Sequence, residues 1–317
     1  MSVYNGADTL PETIESILSQ EGVSIEFIII NDGSTDSSGV ILADYARRDA
    51  RVRILHQENE GLTRALIKGC EAAKGKYIAR QDAGDISMRK RLHLQQQVLD
   101  RDEDCTFVSC WTSMMGPMGE FLYTTKGKGH AGRPVRILSD EEEWGVIDGP
   151  THHGSVMFRR AAYAKAGGYR APFYYGQDWD LWYRLAALGT FAMVEQTLFR
   201  ARFTVGSISS SCRDQQSEYA RLTRTSLSLR RSGRSDTKVL QEAEGLHPRK
   251  SHGTGKSDRG WAMYFIGKCL ANNNDPRAIH YLLSAISANP FLLRAWWWAA
   301  ISLARHPASG LMGSDAN

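Results

Sequence analysis

The stretch IEFIIIND, residues 25 to 32, restricts the fold more than any other part of the chain. It is an apolar, largely β-branched run of strand length that stops on Asn31 and Asp32, passes through the turn-forming GSTDSS and enters the helix-periodic GVILADYARR. A run with no polar alternation reads as a strand covered on both faces, the usual state of a strand in a parallel sheet flanked by helices. The pattern recurs. RVRIL leads into LTRALIKGCEAAKG, and KYIAR leads, through a polar link, into MRKRLHLQQQVLD. Near the start, TLPETIESILSQ sets Thr9 and Glu12 at capping-box spacing ahead of Ile14, Ile17 and Leu18, which predicts a helix. Repeated strand and helix units predict an α/β fold: an open, mostly parallel sheet with helices on both faces.

Ligands of such sheets bind beyond the carboxyl ends of the strands. Asp32 ends one predicted strand there. In YIARQDAGDIS another predicted strand stops on Asp82 and Asp85, with only Ala83 and Gly84 between them. Asp and Asn also favour turns and helix caps for purely structural reasons, so one such acid says little. Two at one sheet edge point to a polar or cationic ligand. Bulk composition narrows the field further. A net charge of +4 in 317 residues makes no demand for a nucleic-acid partner. The cysteines Cys70, Cys105, Cys110, Cys212 and Cys269 are scattered without CxxC spacing, which argues against a disulfide framework or a zinc site and fits a reducing compartment. No apolar stretch is long enough to span a bilayer and the start lacks a signal-peptide layout, so the expected location is cytoplasmic, with the inner face of the cell membrane as a candidate.

The blocks SVYNGADTLPETIESILSQ, EFIIINDGSTDSS, NEGLTRALIKGCEAAKGKYIARQDAGD and GGYRAPFYYGQDWDLWYRL resemble, in order, those of the family 2 glycosyltransferases. The resemblance covers roughly residues 1 to 210. It implies the GT-A fold and transfer, with inversion, of a sugar from a nucleotide-diphospho-sugar to an acceptor hydroxyl. It also implies that Tyr4 lies against the base, that Asp32 hydrogen-bonds it, that Asp82 is the first acid of the DxD motif reaching the ribose or a metal, and that Asp178 is the catalytic base. The chemistry independently suits a carboxylate at 178. An inverting displacement needs a base on the face opposite the leaving group, and Asp178 opens the helical DWDLWYRLAALG, where the helix dipole favours its ionised form. As a structural alternative, Asp178 is a plain first-turn acid. Asp180 is expected to support the site, Trp179 to face the acceptor and Trp182 to enter the core. The implied acceptor is a saccharide or lipid-linked saccharide in cell-surface polysaccharide or glycoconjugate synthesis.

The chain departs from the family pattern in places that bear on metal binding. Where relatives often read DADD this chain has Gly84, and Thr204 in RFTVGSIS stands where a His is common. A divalent cation, Mg²⁺ or Mn²⁺, would then have Asp82, Asp85 and the donor phosphates to hold it. Mg²⁺ tolerates such sites. Metal binding is therefore expected to be weak, donor-dependent or dispensable, with Arg64, Lys68 or Arg202 sharing the leaving-group charge. Arg64 is also a candidate donor contact. The family's opening strand is shortened to MSV, which suggests that Met1 is internal to a longer natural protein. The alternative function is a catalytically impaired nucleotide-sugar-binding relative. A nucleotidyltransferase is disfavoured because no Gly-rich basic loop stands near the start.

The remaining signals are weaker. HGTGKSD resembles a phosphate-binding loop, but Lys250 occupies the position of its first Gly and no strand precedes it, so it reads as a linker. His152 and His153 in GPTHHGSVMFRR lie where an acceptor side would form, and a satisfied loop histidine is an equal reading. GRPVRILSDEEEWG reads as an active-site loop. Domains are expected at 1–212 and 213–317, with a linker near 246–258. The second is helical and ends in FLLRAWWWAAISLA, whose tryptophans beside basic residues suggest contact with a membrane surface.

Overall fold

A computed structural model describes residues 1–127, 149–203, 213–246 and 256–306 of the protein. The chain forms two compact units: residues 1–113, 124–201 and 214–248 make the first, and residues 114–123, 202–213 and 249–317 the second.

In the first unit, β1 (Ser2–Val3), β2 (Phe27–Asp32) and β3 (Val52–Gln57) form a parallel sheet in the order β1-β2-β3. Every residue of β2 is buried, as its unbroken apolar run requires. The connecting helices α1 (Leu10–Leu18) and α3 (Leu62–Ala72) fall within the predicted helical stretches, and α2 (Ser38–Arg48) starts one residue earlier than its predicted stretch. Leu10, Ile14 and Ile17 of α1 pack with Val3, Phe27, Ile29 and Leu42. The capping box at Thr9 is not formed. The Thr9 side chain caps no backbone N–H, and the Gly6 carbonyl accepts from Thr9 and Leu10 instead.

Beyond β3 the strands enter a second sheet. The strands β4 (Tyr77–Ala79), β5 (Ile86–Ser87), β6 (Cys105–Met115), β7 (Phe121–Thr125), β8 (Met157–Arg159) and β9 (Thr190–Arg202) form a second sheet in the order β4-β8-β6-β9-β5, with β7 on β6. The pairs β4/β8, β5/β9 and β6/β8 are antiparallel. A parallel bridge between Ser2 and Asp82 joins the two sheets. The helices α4 (Arg91–Arg101), α5 (Arg160–Lys165) and α6 (Gln177–Ala186) belong to this half. Its core is built on Leu66, Phe107, Phe158, Leu181, Trp182 and Phe191.

The Met1 ammonium donates to the Ile28 carbonyl at 2.9 Å beside a cavity of about 280 Å³ that Phe27, Ala79, Arg80 and Met157 also line. Burial, with Arg80 nearby, lowers that amine to about 5.

The units divide the chain differently from the expected boundary at 212. The helices Arg213–Arg231 and Thr237–Gly245 belong to the first unit because buried polar bonds tie them there. Arg170 donates to Asp180, to Asp236 and, at 2.9 Å, to the Ser226 hydroxyl. The Tyr219 hydroxyl donates to the Leu246 carbonyl at 2.8 Å.

In the second unit the helices Lys256–Asn272, Ala278–Ala288 and Leu293–Arg305 close around Leu122, Ile266, Leu270, Leu282, Ala295 and Ala299. Asn273 donates to the Leu122 carbonyl at 2.8 Å, and the Tyr281 hydroxyl to Glu120 at 2.5 Å. Among the described residues no helix is long and apolar enough to cross a membrane.

Candidate active site

The loops after β1 and β2 are stitched into one surface. The Asn5 carboxamide oxygen accepts from Thr35 N at 2.8 Å and from Asp36 N at 3.3 Å, the Gly6 N–H donates to the Ser38 hydroxyl at 3.0 Å, and Asp36 accepts from Ala7 N at 3.1 Å. Asn5 takes a left-handed φ of 50°, which Asn tolerates better than most residues. Tyr4 stands just before it, 53% exposed at the tip of β1.

Asp32 is placed at the tip of β2 as expected, but its carboxylate is occupied. It accepts from the Gln57 amide at 2.7 Å and from the Glu60 and Gly61 N–H groups at 3.0 Å each. A carboxylate offers about four lone-pair sites, so at most one remains for a ligand. Asp32 holds the β3–α3 loop in shape ahead of any contact with a base. Arg64 lies exposed on α3. The Lys68 ammonium donates to the His56 carbonyl at 2.7 Å, and Arg202 donates to the Pro117 carbonyl within the second unit. Thr204, the loop GRPVRILSDEEEWG and residues 252–255 of HGTGKSD lie outside the described residues.

The tip of β4 carries a denser ionic cluster. Arg80, 3% exposed, pairs with Asp82 and donates to the Gln81 carbonyl at 3.1 Å and to His153 Nε2 at 3.3 Å. His153 Nε2 also meets the Tyr169 hydroxyl at 2.8 Å. Burial alone would raise the Asp82 carboxyl, but Arg80, with His153 and His152, holds it well below the usual range. Burial lowers both histidines, with Arg80 adding to the effect, so they are neutral at pH 7. Beneath the cluster, Arg91 is fully buried against the Phe199 ring and ties Gly154 to Arg80 through their carbonyls, at 2.7 and 2.9 Å. Gly84 takes a left-handed φ of 94° and donates its N–H to the Thr13 hydroxyl at 2.9 Å. That conformation favours a glycine at this position.

Asp82, Asp85 and His152 each offer a ligand atom, all within 4.8 Å of one another. His152 accepts the Gly154 N–H at 3.1 Å, stacks on Phe199 and lies 3.7 Å from Asp85. A Cβ at Gly154 would fall 3.0 Å from Asp82 Oδ2, so the glycine gives that carboxylate its room. Two carboxylates and a neutral imidazole form a donor set that suits a divalent cation. Position 84 supplies none of it. His152 is the group missed as a ligand from the sequence.

Asp178 sits in the first turn of α6, partly buried, and accepts the Trp179 N–H at 2.9 Å. Burial raises its carboxyl to about 6. The backbone N–H groups of Trp179 and Asp178 oppose that shift, as does Arg80, while the charge of Asp82 adds to it. The charges of Asp82 and Arg80 therefore act on Asp178, and the loop after β4 and the start of α6 share one electrostatic site. Asp180, on the same helix, faces inward and is held by Arg170 and Arg184. Trp182 is core, as expected, while Trp179 is half-buried and packs edge-on against it.

Residues 1–200 match the family model described as "Glycosyl transferase family 2". The chain belongs to this family. Among curated relatives, it is 33% identical over 190 residues to "Putative glycosyltransferase EpsE" of Bacillus subtilis, covering 58% of this chain and 64% of that one. It is 43% identical over 104 residues to "Glycosyltransferase GlyG" of Streptococcus pneumoniae, covering 32% of this chain and 35% of that one. The chain thus spans less than two thirds of the length of these relatives. Among solved structures, it resembles S. aureus TarS 1-349 in complex with UDP, with a TM-score of 0.56, 13% identity and coverage of 90% of this chain and 87% of that one. It also resembles the mannosyltransferase PcManGT from Pyrobaculum calidifontis in complex with GDP-Man and Mn²⁺, with a TM-score of 0.51, 15% identity and coverage of 96% and 84%. At these identities the likeness is one of fold. The family 2 chain described here has the GT-A fold.

Proposed function

We propose that this family 2 chain transfers a sugar, with inversion, from a nucleoside-diphosphate sugar to the hydroxyl of a saccharide or lipid-linked saccharide, in cell-surface polysaccharide or glycoconjugate synthesis. The observation that carries the reading is Asp178, a carboxyl at a helix start raised to about 6 chiefly by burial and acted on by the charges of Asp82 and Arg80. A base with that value is ionised at neutral pH yet basic enough to accept a proton in the transition state. Asp178 takes the acceptor O–H proton as that oxygen bonds to the anomeric carbon. The bond from that carbon to the phosphate oxygen breaks on the opposite face, and the nucleoside diphosphate leaves.

The stitched loops around Asn5 and Asp36, with Tyr4 at their edge and Asp32 shaping the β3–α3 loop, suit a base and ribose. Exposed Arg64 suits the diphosphate. Asp82, Asp85 and His152 would hold a divalent cation, which when bound offsets the charge of the leaving diphosphate. Arg80 already neutralises Asp82, so the site would gain cation affinity chiefly when donor phosphates add their oxygens. A lipid-linked acceptor would be met at a bilayer surface, the cytoplasmic face of a cell membrane in this reading.

TarS has been solved with UDP and with UDP-GlcNAc, and PcManGT with GDP-Man and Mn²⁺, so these ligands are the donors to try first. The test combines donor titration calorimetry with measurement of nucleoside diphosphate release, with water standing in for the acceptor. Asp178→Asn is expected to bind donor as the wild type does and to release product about 10³-fold more slowly. Release at the wild-type rate by that variant would overturn the base assignment. Donor binding with no release by the wild type would favour a binding protein without turnover, the reading that Gly84 suggests.

A further inference from the structure

The last helix of the second unit, Leu293–Arg305, has two unlike faces. Ala295, Ala299 and Ser302 are buried against the unit's core. The opposite face carries Leu293, Trp296, Trp297 and Leu303, with Phe291 just before the helix, and these are exposed by 78, 51, 66, 49 and 90%. The exposed positions recur at the three- and four-residue spacing that lines up one side of a helix. Soluble surfaces rarely gather large apolar side chains this way without a partner. The Trp296 indole N–H donates to the Pro290 carbonyl at 3.0 Å, so this ring's one polar group is satisfied within the chain and its faces are left to apolar contact.

The charges choose between partners. The helix carries Arg294 and Arg305 and no acidic residue; Arg305 donates to the Ala271 carbonyl at 2.9 Å, and Arg277, ahead of the helix, is paired with Asp275. Arg294 is exposed beside the apolar face, and Arg259 and Lys268 are exposed on the helix Lys256–Asn272. A second copy of this face would set like charges together with no carboxylate on the helix to pair them. An anionic lipid surface supplies phosphates for the arginines and acyl chains for the tryptophans. We infer that the exposed face of Leu293–Arg305 lies in the headgroup region of an anionic bilayer, parallel to the surface, as a peripheral anchor. The helix is too short to span the bilayer and suited to lie on it. This inference goes beyond the proposed reaction and stands or falls without it.

The test is sedimentation of the full chain with vesicles of phosphatidylcholine, with and without phosphatidylglycerol, with tryptophan quenching by brominated acyl chains as a second readout. The wild type is expected to bind the vesicles containing phosphatidylglycerol, with its fluorescence quenched. The double substitution Trp296→Ser and Trp297→Ser is expected to weaken binding by at least about tenfold. Arg294→Gln is expected to weaken it by about fivefold, and only on the anionic vesicles. Far-UV circular dichroism is expected to match the wild type for both variants. Absence of wild-type binding, or binding unchanged in the tryptophan variant, would overturn the inference. So would a wild-type dimer that dissociates on the tryptophan substitutions without any affinity for vesicles, because the face would then be a contact between copies.

Discussion

The tips of β2 and β4 use the same residue type in opposite ways. At the β2 tip, Asp32 is surrounded by neutral N–H donors of its own neighbourhood, Gln57, Glu60 and Gly61, and becomes the fixed point of a loop. At the β4 tip and the start of α6, carboxylates meet ions. Asp82 has Arg80, Asp180 has Arg170 and Arg184, and Asp178 has burial and like charge working against its ionisation. Chain position alone therefore does not assign an acid its work. A carboxylate bonded to backbone N–H groups builds structure, and Asp82, beside Arg80, is held in its charged form. The carboxylate left under-compensated keeps a pKa near neutrality and is available for proton transfer.

Substitutions along this series break or sharpen the contrast. Asp180→Asn leaves buried Arg184 without its carboxylate and half-buried Arg170 with Asp236 alone. It is expected to lower the stability of the first unit by about 3–5 kcal/mol, read from the urea midpoint. Asp178→Asn works the other way. The folded Asp178 holds its proton up to about 6, against 3.8 as its ordinary value, so ionisation destabilises the fold progressively as pH rises through that window and fully above it. The variant is expected to be more stable than the wild type by on the order of 2–3 kcal/mol at alkaline pH, with no gain below the window, as thermal melts at both ends will show. Asp32→Asn faces an amide N–H₂ toward donors. It is expected to cost about 1–3 kcal/mol and to weaken donor binding through loop disorder, with turnover of bound donor nearly unchanged. At Gly84, φ is 94°, and Gly84→Ala is expected to cost about 1–2 kcal/mol in melting experiments, with Asp178 untouched. If Asp32→Asn and Asp178→Asn had the same signature, the distinction between the two tips would fail.

The legible parts of the molecule were the local ones. The run of β2, the periodicity of α1 and α3 and the acids at strand and helix ends all lie within a few residues of the features that reveal them. The antiparallel half was read as more parallel than it is, because a fully buried strand has the same unbroken apolar pattern whichever way its neighbour runs. The cluster around Asp82 was legible only in its acids. Arg80 was visible as a cation at the end of an apolar strand, but its contact with His153 spans 73 residues of chain and that of Arg91 with Gly154 spans 63. Such pairings become visible only when the strands are laid side by side. The same distance hid His152, whose ring nitrogen lies within 4.8 Å of carboxylate oxygens of Asp82 and Asp85.

The most direct test of the account is the pH profile of nucleoside diphosphate release by the wild-type chain at saturating donor, followed across the acid and neutral range. With Asp178 as the base, the rate rises about tenfold per pH unit in acid and levels off above a midpoint of about 6, and Asp178→Asn shows only a low, flat residue of activity. A wild-type rate that stays constant through that midpoint, or an Asp178→Asn variant that follows the wild-type profile, would contradict it.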